Sequence, residues 1–188
     1  MEDMDSVSGN ARTLFRILAY ASFATMVAVL GYAAVSLVAQ GVDVIGSNLV
    51  DVEFPPPSIS PIYAKPITLL YASSLVFMYT ELELIRGRVR RIQNGYLHVF
   101  KLVAFSVAAI AFFELAYNLI FWSGVLAAQA VLGHLNPDAI ANPFPDLKHP
   151  INVVFASKIA ASVLIAGAYV FHYLSKIQDS KRASPNPA

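Results

Sequence analysis

Four stretches of this chain are too long and too apolar to fold inside a water-soluble domain, and they constrain everything else. Between Arg16 and Asp43 no charged residue occurs, and Ile17 to Val38 is apolar nearly throughout. A second stretch runs from Pro66 to Glu81; it reaches spanning length if the helix carries Glu81 and Glu83 to the interface and ends near Ile85. The third begins at Lys101 and ends near Leu132, broken by one acid, Glu114. The fourth runs from Ile151 to Leu174, broken by one base, Lys158. Roughly 20 helical residues cross a hydrocarbon core of about 30 Å. The sequence therefore predicts four spans, over 17–38, 66–85, 101–132 and 151–174.

In lipid, backbone polar groups must be satisfied within the segment itself, and stretches this long and continuously apolar do that only as helices. A barrel strand would instead show about ten residues of alternating polarity. The expected fold is all-α: a single-domain integral membrane four-helix bundle, with short disordered tails at 1–10 and 177–188. Composition agrees. Only 13% of the 188 residues are charged, against about 25% in soluble domains, too few to cover a soluble surface. A net charge of +1 argues against nucleic acid as a partner. With no cysteine, disulfides, thiolate metal sites and iron–sulfur clusters are excluded.

Nine of the eleven prolines fall in two stretches between spans, over 55–66 and 137–150, and none interrupts a span. Both loops are expected on the outer side. Basic residues collect on the cytoplasmic flanks of membrane helices. With the N-terminus inside, Arg12, Arg16, Arg86, Arg88, Arg90, Arg91, Lys101, Lys176, Lys181 and Arg182 are inside, and only Lys65 and Lys148 are outside. Both termini are thus expected to be cytoplasmic, and a prokaryotic plasma membrane is the default location. The first span reads as an uncleaved anchor, because its apolar run exceeds the roughly 7–15 residues of a signal-peptide core. The proline-rich loops can serve as a docking surface or simply as stiff connectors. The inner basic cluster, Arg86, Arg88, Arg90 and Arg91, can bind anionic headgroups or an acidic partner subunit, although retention of that loop inside explains it equally well.

An ionisable residue at membrane depth is costly and calls for a partner. Glu114 lies roughly 20 Å beyond Lys101, and Lys158 roughly 12 Å beyond Pro150 on a helix running the other way, so their depths nearly coincide. Glu114, Tyr117, Asn118 and Phe121 share one helical face, and Lys158, Ser162, Ile165, Tyr169 and His172 another. The sequence thus predicts a Glu114–Lys158 contact with Asn118 and Ser162 nearby. That pair can fix which helices are neighbours, carry a proton- or ion-coupled path, or be replaced by a pair with another chain. Small residues at packing spacing, among them Ala24 with Ala28, Ala104 with Ala108, Ala156 with Ala160 and Ser162 with Ala166, permit close helix approach.

His98 and His172 lie near the inner ends of their helices, the arrangement a bis-histidine haem needs. His98, however, sits about 160° around its helix from the Glu114 face, so the two rings converge only if that helix is bent or rotated. No metal-ligand spacing, catalytic triad or phosphate-binding glycine loop is present in the sequence, so no catalytic residue, metal or cofactor is expected. Three functions fit: a non-enzymatic accessory or scaffolding subunit of a larger membrane complex, an oligomeric small transporter or channel using Glu114 and Lys158, and a haem- or quinone-associated redox subunit. Beyond the bilayer, the expected partners are other membrane subunits or further copies of the chain.

Overall fold

An amide in lipid finds no partner outside its own chain, and every apolar stretch here is helical. The computed structural model describes residues 9–41, 64–133 and 153–183. They form α1 (Gly9–Gln40), α2 (Pro66–Leu84), the single-turn α3 (Arg86–Arg90), α4 (Asn94–Val131) and α5 (Val153–Ala183). No strand occurs among the described residues. α1, α2, α4 and α5 are each long and apolar enough to cross a membrane. The proline-rich stretches at 55–61 and 137–150 lie outside the described residues, as do 1–8 and 184–188.

Local chemistry sets the helix ends. Pro66 opens α2 in its first turn, where a missing N–H costs nothing. Gly41 ends α1 with φ of +87° and donates its N–H to the Leu37 carbonyl at 3.0 Å. Gly133, with φ of +70°, ends α4 in the same left-handed conformation, which glycine adopts without a Cβ penalty.

Helix lengths then set the levels. α2 has 19 residues, about 28 Å at 1.5 Å per residue, and only just crosses a core of about 30 Å. Its ends, Lys65 on one side and Ile85 on the other, mark the two boundaries. α4 has 38 residues and α5 has 31, so both project past the Ile85 boundary. Here the structure corrects the sequence. The chain from Ile177 to Ala183 continues α5 rather than forming a tail, and α4 starts at Asn94, ahead of Lys101. The physical cause is a small hydrophobic core at this end, where Val89, Leu97, Tyr173, Leu174 and Ile177 bury one another. Leu97 and Ile177 are almost wholly inaccessible.

The helices do not close around one shared core. α1 packs along α2, and α4 along α5, while a narrower contact joins α2 to α5. Phe15 of α1 meets Tyr79 near the end of α2, and Phe105 of α4 meets Phe171 of α5, so each pair is antiparallel. Lys158 meets Thr68, and Tyr173 meets Leu82, so α2 and α5 run parallel. The expected four-helix bundle is thus two antiparallel pairs joined along α2 and α5, with α1 and α4 flanking. Within the most apolar 18-residue stretch of each spanning helix, only 17–22% of residues are buried by the chain. Most of the apolar surface faces outward.

Small side chains form the α4–α5 seam. Ala104, Ala108 and Ala111 are buried opposite Ala160 and Gly167. A Cβ on Gly167 would stand 3.0 Å from the Ala104 carbonyl oxygen and 3.0 Å from the Ala108 Cβ. Ala24 and Ala28, by contrast, face outward; α1 buries Ala19, Ser22, Val29, Ala33 and Ser36 instead. In an open helix glycine-to-alanine gains about 0.8–1.0 kcal/mol. At Gly167 the sign should invert: Gly167→Ala lowers the melting temperature in detergent, while Gly124→Ala, which meets nothing within 4 Å, leaves it unchanged or raises it. Equal effects of the two substitutions would contradict the tight seam.

Candidate functional site

Lys158 sits on α5 one residue from Ile159 and two from Ala160, yet faces a different neighbour. Its Nζ donates to Thr68 Oγ1 of α2 at 3.2 Å, whereas Ile159 and Ala160 line the groove against α4. Glu114 lies in that groove, with Asn118, Ala111 and Val163. Among the described residues Glu114 and Lys158 form no ion pair, so the predicted contact is not made. The reason is helical phase: the sequence shows which residues share a face, but not which helix that face meets. Tyr169 shares the Lys158 face, and it too turns to α2, its ring 5.2 Å from that of Tyr79. Ser162 is half-buried, and Tyr117 is exposed and stacked on Phe121. A transport path through Glu114 and Lys158 loses its geometric basis.

The Glu114 groove is open and encloses about 400 Å³. It is apolar apart from Glu114 and Asn118, and Glu114 is exposed. Along α4 the residue stands near the middle of the 38-residue helix. An exposed carboxyl group lining an otherwise largely apolar groove is the least expected feature of the structure.

The densest polar network lies at the end where α2 stops and α4 begins. Lys101 donates to Gln178 Oε1 at 3.1 Å. Lysine carries only donors, so that contact fixes the amide orientation and turns the Gln178 NH2 group toward His98. Gln178 Nε2 then donates to His98 Nε2 at 2.5 Å, and Gln178 itself is buried. The Nε2 atom of His98 is thus engaged by an amide, while His172 is exposed. No hydrogen bond joins the two rings among the described residues. Among the described residues, no three His, Cys, Asp or Glu side chains gather closely enough to hold a metal ion.

The same end ties α5 to the turn between α2 and α4. Tyr173 donates its hydroxyl to the Leu82 carbonyl at 2.6 Å, and Lys181 donates to the Ile92 carbonyl. Carbonyls at a helix C-terminus have no intrahelical donor, and these side chains supply one. Tyr169 donates to Glu83 Oε1 at 3.4 Å, and Glu83 also pairs with Arg86 at 3.4 Å. The basic cluster is thereby divided: Arg86 is paired with Glu83, whereas Arg88 and Arg91 line a recess with Arg12 and Arg16 of α1. Thr68, Glu83 and Gln178 were not singled out by sequence, since a threonine near a helix start and polar residues near an interface read as ordinary boundary chemistry.

Removing a buried hydrogen-bond donor leaves its acceptor desolvated, at about 1–3 kcal/mol. Tyr173→Phe should destabilise the protein by that amount in a detergent melt, because Tyr173 is buried. Tyr96→Phe, at an exposed position, should change nothing; equal stability of both variants would show that Leu82 is satisfied by other means.

With this geometry established, comparison with known proteins returns no match to any protein family, any curated protein or any solved structure.

Proposed function

We propose that this chain is a non-catalytic accessory or scaffolding subunit of a larger membrane complex. In this reading α1 starts and α5 ends on the cytoplasmic side, and the groove between α4 and α5 receives a transmembrane helix of a different subunit. The observation that carries the proposal is Glu114, which lines an apolar groove at mid-helix and faces outward without an ion pair among the described residues.

The energetics favour a protein partner over lipid at that spot. A charged side chain at the centre of a membrane helix costs about 2.5–3.5 kcal/mol on insertion scales. Interhelical polar contacts return about 0.6 kcal/mol on average, and up to about 1.7. A partner helix bearing a basic, amide or hydroxyl donor at this depth offsets part of that cost, which lipid cannot do. Lys158, the base inside the spans apart from Lys101 at the start of the third, donates to Thr68 of α2 and so is turned away from the Glu114 groove of its own chain.

The orientation rests on the ten basic residues gathered at one end. The location in this reading is a prokaryotic plasma membrane, the default for such a chain.

Glu114→Leu distinguishes the readings by sign. On the isolated chain in detergent it should raise stability, because a costly group leaves an apolar face. On the assembly extracted gently from its native membrane it should release the chain from its partner, read by native mass measurement. Retention of the partner by the Leu variant would overturn the proposal, as would a wild-type assembly containing copies of this chain alone.

A further inference from the structure

We propose that the recess between the start of α1 and the α2–α3 turn binds the phosphate of an anionic lipid headgroup. Its volume is about 430 Å³, and Arg12, Arg16, Arg88 and Arg91 line it together with Leu84 and Ile85. This inference stands on residues remote from Glu114 and is independent of the partner-helix reading.

Two segments far apart in sequence converge here. Arg12 and Arg16 are four residues apart and share one face of α1. Arg88 and Arg91 are three apart and follow the break at Ile85, where α2 gives way to the single turn of α3. Among the described residues no Asp or Glu lines the recess. Among the described residues, none of the four guanidinium groups makes an ion pair, whereas Arg86, just outside, is held by Glu83. Retention of basic flanks on one side of a membrane requires only that the charges lie at that end. It does not require two segments to aim four guanidinium groups into one recess, and their mutual repulsion opposes it. A phosphate supplies both the countercharge and the planar oxygen pairs that guanidinium groups bind bidentately.

Position selects a lipid over a soluble phosphate. The uncharged stretch of α1 begins at Ile17, directly after Arg16, and α2 ends at Leu84. The recess therefore sits at the boundary between apolar and polar surface, the level of lipid phosphates. Leu84 and Ile85 give it an apolar rim on the membrane side, suited to a glycerol backbone and the start of an acyl chain. Basic pockets between membrane helices on the inner side are established headgroup sites.

The test uses the purified, delipidated full chain in neutral detergent, with melting temperature titrated against phosphatidylglycerol, phosphatidylcholine and inorganic phosphate. Phosphatidylglycerol should stabilise at the lowest concentration. Its half-effect concentration should rise about 30-fold in Arg88→Gln/Arg91→Gln, and similarly in Arg12→Gln/Arg16→Gln, for two basic contacts with anionic lipid in each case. All four side chains are exposed, so these variants should fold, and a melt without lipid checks that. Lys176→Gln/Arg182→Gln removes two exposed charges near the same end and should leave the titration unchanged. Four outcomes overturn the proposal: equal stabilisation by phosphatidylcholine, an equal shift in the Lys176/Arg182 variant, full protection by inorganic phosphate, or protection by phosphatidylglycerol only after Glu2, Asp3 and Asp5 are neutralised. The third would assign the recess to a soluble phosphate, and the fourth to the chain's own acidic residues.

Discussion

The structure depends on one imbalance: the chain has far more apolar helix surface than it can cover with itself. Each spanning helix leaves most of its apolar stretch facing outward. In water that surface would drive aggregation; in lipid it costs nothing, and the drive to bury apolar groups against one another disappears. What remains to hold helices together is close backbone approach and the satisfaction of polar groups. Both are visible. Gly167 brings α5 into van der Waals contact with the backbone of α4, and Lys158 is drawn to Thr68 across the α2–α5 contact.

Where the chain leaves the membrane, a different rule applies. Past the end of α2, the extensions of α4 and α5 meet the α3 turn and bury Leu97, Leu174 and Ile177 in a conventional hydrophobic core. Around it, Tyr173 and Lys181 donate to backbone carbonyls, and Gln178 joins Lys101 to His98. The two helix pairs are thus loosely joined along their spans and firmly joined at one end.

The spans were legible because uncharged length is a one-dimensional property, and the residues sharing a face were legible because the helical period is fixed. Lys158 and Tyr169 do share a face, as their spacing predicts. The neighbour that face meets was not legible: α5 turns it to α2, and shows α4 a stripe of Ile159, Ala160, Val163 and Gly167. Contact between non-consecutive helices such as α2 and α5 depends on the packing of all four, which periodicity does not encode. The end of α5 was misread for a related reason. Ile177 and Gln178, followed by charged residues, look like a solvated tail until α4 and the α3 turn arrive to cover them. The convergence of Arg12 and Arg16 with Arg88 and Arg91 likewise joins segments that have no sequence proximity.

The premise beneath all of this, that lipid surrounds these helices, is open to direct test, because the chain has no cysteine of its own. Single cysteines at Gly41, Gly133, Phe113, Gln93 and Ala183 can be challenged with a membrane-impermeant maleimide in intact and permeabilised cells. The expected result is labelling of Gly41→Cys and Gly133→Cys in intact cells, and of Gln93→Cys and Ala183→Cys only after permeabilisation. Phe113→Cys, exposed on α4, should stay unlabelled in both. Ready labelling of Phe113→Cys in folded, membrane-embedded protein would place water where lipid is required and would contradict the account.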